Sequence, residues 1–319
     1  MAKKILERLA FSIVIFFALT FLVFALSNMV RGNAVDVLVS QNPDMSQEAY
    51  DNLLASYGLD QPIPVRYLNW LNGMAHGDMG RSITSNQPVT RILSERIGPT
   101  LILTVSALII SLLISIPLGA MSAYKPYSFW DTLSSFVSFL GSSVPGFILC
   151  LLGVYVFAVR LKLVPTQGMY DVGQPHTFGN LLKHLILPAT VTGLQMTGSL
   201  LKQTRSAILE VMNEDYIKTA RSKGLSELAV VIIHALRNAL IPIITTVSLS
   251  IPFLVGGSVI VERIFSWPGM GNLLVTSITS RDYNPIMGAT VVICLTVLIS
   301  NIILDLLYMV VDPRISKGR

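Results

Sequence analysis

Charge is what this sequence has least of. Only 13% of its 319 residues are Asp, Glu, Lys or Arg, against about 25% in an average soluble domain. With 52% apolar residues and a mean hydropathy of +0.64, it has too little polar surface to cover a water-soluble core. Length would allow two soluble domains, but composition points to the bilayer as solvent. Cysteine is nearly absent. Cys150 and Cys294 sit inside apolar stretches with no CxxC or Cys/His spacing, so neither a disulfide nor a metal site is implied and both read as small core residues. The net charge of +5 and pI of about 9.2 do not signal nucleic acid. The basic residues flank apolar runs instead of clustering with aromatics on a soluble face.

Catalytic groupings are missing too. No glycine is followed by lysine, so the chain has no Walker A loop to wrap nucleotide phosphates. Gly141-Ser142-Ser143 offers a serine nucleophile, but His76, His176, His184 and His234 all fall outside the apolar runs, where none can serve as its base. Asp305 is the only aspartate read as intramembrane, which excludes a paired-aspartate protease. There is no internal repeat and no low-complexity segment.

What is present is a series of long apolar runs. A spanning helix needs about 20 such residues, and six stretches qualify: residues 9–30, 100–121, 132–159, 185–201, 239–261 and 287–311. The fourth is shorter and more polar, and the sixth carries Asp305. The first follows Lys3, Lys4 and Arg8 as a signal peptide would, but it is longer than a usual apolar signal core and lacks a good cleavage site. With the N-terminus inside, cytoplasmic segments hold 13 Lys and Arg and outer ones ten, five of these in the long 31–98 loop. Long loops are largely exempt from the positive-inside rule, so both termini are expected in the cytoplasm.

Two loops exceed simple connections. The outer one, 31–98, includes a periodic stretch at 46–57 and a turn at Gln61-Pro62-Ile63-Pro64. The inner one, about 202–238, reads as helix, break, helix. Gly224 suits a left-handed helix end, Lys218, Arg221 and Lys223 suit the negative end of the preceding helix dipole, and Ser226 with Glu227 suits the start of the next. Spacing alone leaves a solvated hairpin and a docking finger equally open.

The run Tyr216-Ile-Lys-Thr219-Ala220-Arg221-Ser-Lys223-Gly224-Leu225, followed by His234-Ala235-Leu236-Arg237-Asn238-Ala239, resembles the "EAA" coupling loop of ABC importer permeases in its dipeptide/oligopeptide/nickel form. Lys218 stands where the general motif has its glutamate, and Leu236-Arg237 replaces a Leu-Pro pair. Both changes are usual in the peptide branch. The resemblance extends along nearly the whole chain: Gly58-Leu-Asp-Gln-Pro62, Tyr67-Leu-Asn-Trp70, Gly77-Asp-Met-Gly80 with Ser82, Pro88-Val89, Val261-Glu-Arg-Ile-Phe265-Ser-Trp-Pro-Gly269-Met-Gly271, Arg281-Asp-Tyr283, Asn301 to Tyr308, and Asp312-Pro-Arg314. It is that of a first, B-type permease subunit.

The resemblance implies an all-α polytopic membrane protein of the type I ABC importer permease fold, with an N-terminal transmembrane helix (1–30), an extracytoplasmic scaffold loop (31–98), a permease core (99–311) containing the coupling loop 209–238, and a cytoplasmic tail (312–319). It implies a multi-pass protein of a bacterial or archaeal inner membrane that is not itself an enzyme. Its partners would be a second homologous permease in a heterodimer, two ATPase subunits that bind ATP and Mg, an extracytoplasmic solute-binding protein and membrane lipid. The residues implied in ATPase coupling are Tyr216, Thr219, Ala220, Arg221, Lys223, Gly224, Leu225, His234, Arg237 and Asn238. Peptides are the implied cargo, with nickel, a metal–chelator complex or glutathione as alternatives; an ion-coupled secondary transporter is the rival of another class.

The translocation path is read from polar or helix-breaking residues in apolar runs: Thr192, Gln195, Ser199, Pro145, Pro252 and Gly256, with Gly146 and Gly257 beside them. Thr190 and Thr197 share the polar face of the fourth run, where inter-helix hydrogen bonds and a wet cavity compete as explanations. Asp305, two turns from the inner end, is expected in a structural ion pair or hydrogen bond, with Arg314 beyond it. Glu262 and Arg263 read as an ordinary charged pair at a helix end.

Overall fold

The computed structural model describes residues 2–29, 35–36, 39, 45–256 and 258–311; the side chains of residues 2–10, 252 and 303–311 lie outside that description. The secondary structure of the described residues is helical apart from one isolated antiparallel bridge, Arg81 to Pro88. The chain divides into two compact units, one drawn from Met1–Thr100 and Pro268–Leu298, the other from Leu101–Trp267 and Ile299–Arg319.

The first unit begins with α1 (Ala2–Met29). The periodic stretch forms α2 (Gln47–Ser56), whose N-cap Ser46 accepts the Ala49 amide through its hydroxyl. The Pro-rich turn starts α3 (Ile63–Ala75), with Pro62 at the N-cap, where a missing N–H costs nothing. The unit also holds the first turns of α4 (Val89–Tyr124), α13 (Met270–Thr279) and the first part of α14 (Tyr283–Val311). Asp282, buried between α13 and α14, accepts from Ser82 Oγ (2.6 Å), the Ile83 amide (3.1 Å), and the amide and hydroxyl of Thr84 (3.2 and 2.9 Å). Asn284 adds a bond from Nδ2 to the Arg81 carbonyl. Two motifs some 200 residues apart thereby become one clasp.

The second unit holds the rest of α4, then α5 (Phe129–Ser143), α6 (Gly146–Gly153) running into a π-helical turn (Val154–Arg160), and α7 (Phe178–Val211). After α7 come α8 (Asp215–Ser222), α9 (Glu227–Ala229) with a π-helical continuation (Val230–Ala235), α10 (Leu236–Leu249), α11 (Ile251–Gly256) and α12 (Val259–Ile264).

Among the described residues four helical stretches are long and apolar enough to cross a membrane, or five if one bent pair counts as a single span. Three expectations change. The stretch 132–159 is two helices, α5 and α6, meeting at 104°. Pro145 has no N–H to extend α5 and forces Val144 into an extended conformation (φ −82°, ψ 123°). The stretch 185–201 belongs to a 34-residue helix, α7, that is not among the candidate spans. The stretch 239–261 does fall within one candidate span, Glu227–Ile264, but its helix breaks at Ser250 and again before Val259; Gly257 lies outside the described residues.

Glycines set how closely α7 packs on α4 and α5. A Cβ on Gly141 would strike the Leu194 carbonyl, and one on Gly198 would come within 2.7 Å of the Ser142 amide. A Cβ on Gly193 would come within 2.8 Å of the Ala107 carbonyl, and one on Gly119 within 2.8 Å of the Thr204 methyl. Small residues let α4, α5 and α7 approach backbone to backbone, the usual geometry where no water drives association.

Candidate functional site

The inner loop has the predicted form. After α7, residues Met212 to Glu214 turn the chain into α8, two turns long, whose first-turn Asp215 takes Lys218 Nζ at 2.7 Å. Gly224 ends it at φ +80°. A Cβ there would meet nothing within 4 Å, so backbone conformation alone, not space, demands glycine. Ser226 then caps α9 by accepting the Ala229 amide at 3.4 Å. Arg221 reaches across the break, donating from Nε to Glu227 Oε1 (2.8 Å) and from a terminal nitrogen to Oε2 (3.2 Å). Its charge thus serves the junction between the two helices as well as the dipole of the first.

One face of α8 is anchored. Ile217 and Ala220 are buried against Val230, Val231, Ala235, Ala239 and Ile243 from the following segment and Ala207 and Ile208 from α7. The methyl of Ala220 is therefore a packing group within this chain. The other face is open: Tyr216, Lys218, Thr219, Arg221, Lys223, Gly224 and Leu225 are all exposed. The two motif halves also touch. Partial desolvation pushes the Tyr216 hydroxyl pKa up, as does the negative Glu214, while the nearby Asn238 side chain opposes them. Asn238 Nδ2 donates to the carbonyl of half-buried His234, and Arg237 is exposed.

A feature the sequence reading missed lies at the base of this finger. Asp131, in the first turn of α5, is buried and receives Arg205 from α7: Nε to Oδ1 at 2.8 Å and a terminal nitrogen to Oδ2 at 3.2 Å. Ser122 of α4 donates to Oδ1 at 2.6 Å and accepts from Arg205 Nε at 2.9 Å. The Tyr127 amide donates to Oδ2 at 2.8 Å, holding a residue with φ +62° in the α4–α5 turn. One carboxylate thus ties three helix ends together. The available signal was Asp131 itself, the acidic residue just ahead of an otherwise uncharged run.

The expected path residues separate into two groups. Gln195 and Ser199 line a cavity of about 490 Å³ between α4, α7, α10 and α11, together with Ser111, Thr246, Ser250 and Ser258. The Ser111 hydroxyl is fully buried at this wall with no partner among the described residues. Gly146, just after the bend, packs so tightly on the Gln195 amide that any Cβ would collide with it. Pro145 acts through this bend and does not line the cavity, nor does Gly256. Thr192 is no part of it either: Thr190, Thr192 and Thr197 donate to carbonyls four residues back, those of Ile186, Pro188 and Gly193. Their polarity is satisfied within α7, neither between helices nor in a wet cavity. The side chains of Pro252 and Asp305, and all of Arg314, lie outside the described residues. Glu262, expected at an ordinary helix end, is fully buried, its carbonyl accepting the Trp267 amide at 2.8 Å.

Residues 115–317 match the family described as "Binding-protein-dependent transport system inner membrane component". The chain is 42% identical over 317 residues to a protein of Brucella suis biovar 1 provisionally named a peptide permease, covering 99% of both chains. It is 41% identical to the oligopeptide transport system permease protein AppB of Bacillus subtilis, over 99% of this chain and 100% of that one. It is 35% identical to the dipeptide transport system permease protein DppB of Escherichia coli K12, over the full length of both. Together with its long apolar helices, this places the chain among multi-pass permeases: it belongs to the family of inner-membrane components of binding-protein-dependent transport systems.

Proposed function

We propose that this chain is one of two unlike permease subunits in an ATP-driven importer of short peptides, and that the finger from Asp215 to Leu225 is its contact with a cytoplasmic ATPase. The observation that carries this reading is the division of the finger into two faces. Ile217 and Ala220 fix α8 to the helices behind it, while Tyr216, Lys218, Thr219, Lys223 and Leu225 face outward at a break whose geometry only Gly224 accommodates without strain. A short rigid helix anchored on α7 and α10 is suited to passing a push from a partner to the segments that line the Gln195 cavity. The chain has no phosphate-binding loop of its own, so ATP and Mg belong to two partner subunits. An extracytoplasmic binding protein delivers the cargo. On this reading both termini and the finger are cytoplasmic.

Peptide cargo rests on the names of the relatives, which describe peptide, oligopeptide and dipeptide permeases; nickel and glutathione have no such support. The test is uptake of a labelled dipeptide into proteoliposomes holding the whole transporter, with Gly224→Val against wild type. The expected result is intact insertion and assembly with uptake lost. Normal ATP-driven uptake by that variant would overturn the coupling assignment, and uptake needing no ATPase would favour an ion-coupled carrier.

A further inference from the structure

The unit containing α1 and α3 encloses a second cavity, of about 390 Å³, within the range of small-molecule sites, about 300–1,000 Å³. Two of its lining residues carry donors with no acceptor among the described residues. Arg66 lies with its guanidinium carbon 5.8 Å from the ring centroids of both Phe24 and Tyr283, and among the described residues it has no salt-bridge partner. Burial disfavours its charge, with Tyr283 and Asp60 pulling the other way. The Trp70 indole Nε1–H is buried and has no partner among the described residues. Two other polar groups on the wall are engaged within it: Asp78 Oδ1 accepts the Gly80 amide at 2.8 Å, and Asn69 Nδ2 donates to Gln61 Oε1 at 3.0 Å. A cation flanked by aromatic rings, on a wall that also carries an indole N–H, suits an anion with two oxygens.

The surroundings narrow the anion. The cavity wall includes Phe24 of α1, whose residues Phe11–Met29 form a candidate membrane span. Helix α3 is fixed to α1 through Tyr67, whose hydroxyl meets Thr20 Oγ1 at 2.9 Å and donates to the Phe17 carbonyl at 3.2 Å. Both helices leave large apolar side chains exposed beside this contact, Phe21 and Leu22 on α1 and Val65 and Leu68 on α3. Aromatic residues and a half-buried cation next to lipid-compatible surface are the chemistry of the membrane–water interface.

We propose that this cavity is a phospholipid site. Arg66 and the Trp70 N–H bind the two non-bridging oxygens of the headgroup phosphodiester, and the acyl chains lie along the exposed apolar residues of α1 and α3.

The test is native mass spectrometry of the full chain, purified in detergent, delipidated and titrated with dihexanoylphosphatidylglycerol, with inorganic phosphate and dialanine as competitors. Arg66→Gln and Trp70→Phe are each expected to weaken lipid binding about tenfold, the scale of one lost charge-assisted hydrogen bond. Trp70→Phe keeps the ring and reads the N–H alone. On the wild-type chain, inorganic phosphate should displace the lipid only at far higher concentration, and dialanine should not. Unchanged lipid binding in well-folded variants would overturn the proposal. So would displacement by dialanine, or free phosphate binding as tightly as the lipid.

Discussion

Arg205 closes on Asp131 through two parallel hydrogen bonds, 2.8 and 3.2 Å long, joining the end of α7 to the start of α5 at the root of the finger. The Asp131 side chain is only 11% exposed and that of Arg205 32%, so this pair is far better shielded than the surface pair Arg91–Glu95. Removing one partner strands the other with its desolvation uncompensated. Arg205→Ala and Asp131→Ala are each expected to lower stability by about 2–3 kcal/mol, and the double variant by clearly less than their sum. Thermal unfolding of the four proteins in detergent closes the cycle. Additive losses would mean the two residues act separately.

The Asp282 clasp makes a second prediction. Four donors converge on one buried carboxylate, and Asp282→Ala leaves them without an acceptor. Each buried unmet donor costs about 1–3 kcal/mol; relaxation and water recover part, and the net loss should be about 3 kcal/mol. Asp282→Asn keeps one oxygen but turns a donor toward the others, so about half that loss is expected. Limited proteolysis between Gly80 and Pro88 reads the same event locally, with cleavage rising in the order wild type, Asn, Ala.

Glycine positions on the helices separate packing from propensity. Gly141→Ala drives a methyl into the Leu194 carbonyl on a facing backbone that has no side chain to yield, and should cost at least about 2 kcal/mol. Gly179→Ala, in the first turn of α7 with nothing within 4 Å, should instead stabilise by about 0.5–1 kcal/mol. The two midpoints of thermal unfolding should move in opposite directions.

How much of this was legible in the sequence depends on the range of the interaction. The Gly224 break, the Ser226 cap and the Ser46 start of α2 follow from neighbours within four residues, and the sequence shows them. The clasp of Ser82 by Asp282 and the Asp131–Arg205 pair were visible only as isolated polar residues, since a single chain does not say which distant groups meet. Hydropathy misjudged α4 because it stops at charges: the helix starts at Val89, before Arg91, Glu95 and Arg96, rather than near Thr100. It misjudged 132–159 for the opposite reason, reading continuous apolarity through Pro145, whose ring and missing N–H outweigh it. Thr192 misled because a hydroxyl can satisfy itself on its own helix by bonding the carbonyl four residues back.

The pair Arg221–Glu227 separates bracing from contact. Both side chains are about half exposed, and such a pair contributes only about 0–1 kcal/mol, so Arg221→Ala and Glu227→Gln should both unfold within a few degrees of wild type. Their effects on transport should differ. If Arg221 mainly braces the break, Glu227→Gln, which loses the charge and one of the two acceptor oxygens, weakens the brace, and dipeptide uptake falls in both variants. If Arg221 also contacts the ATPase, Glu227→Gln keeps most uptake while Arg221→Ala loses at least about tenfold, the scale of one charge-assisted contact. Gly224 completes the comparison. Asparagine enters the left-handed region more readily than other residues that carry a Cβ, so Gly224→Asn should keep more ATP-driven uptake than Gly224→Val, although a Cβ at this position meets no neighbouring atom. Equal loss in both would mean the site needs glycine for close approach of a partner and not for its φ of +80°.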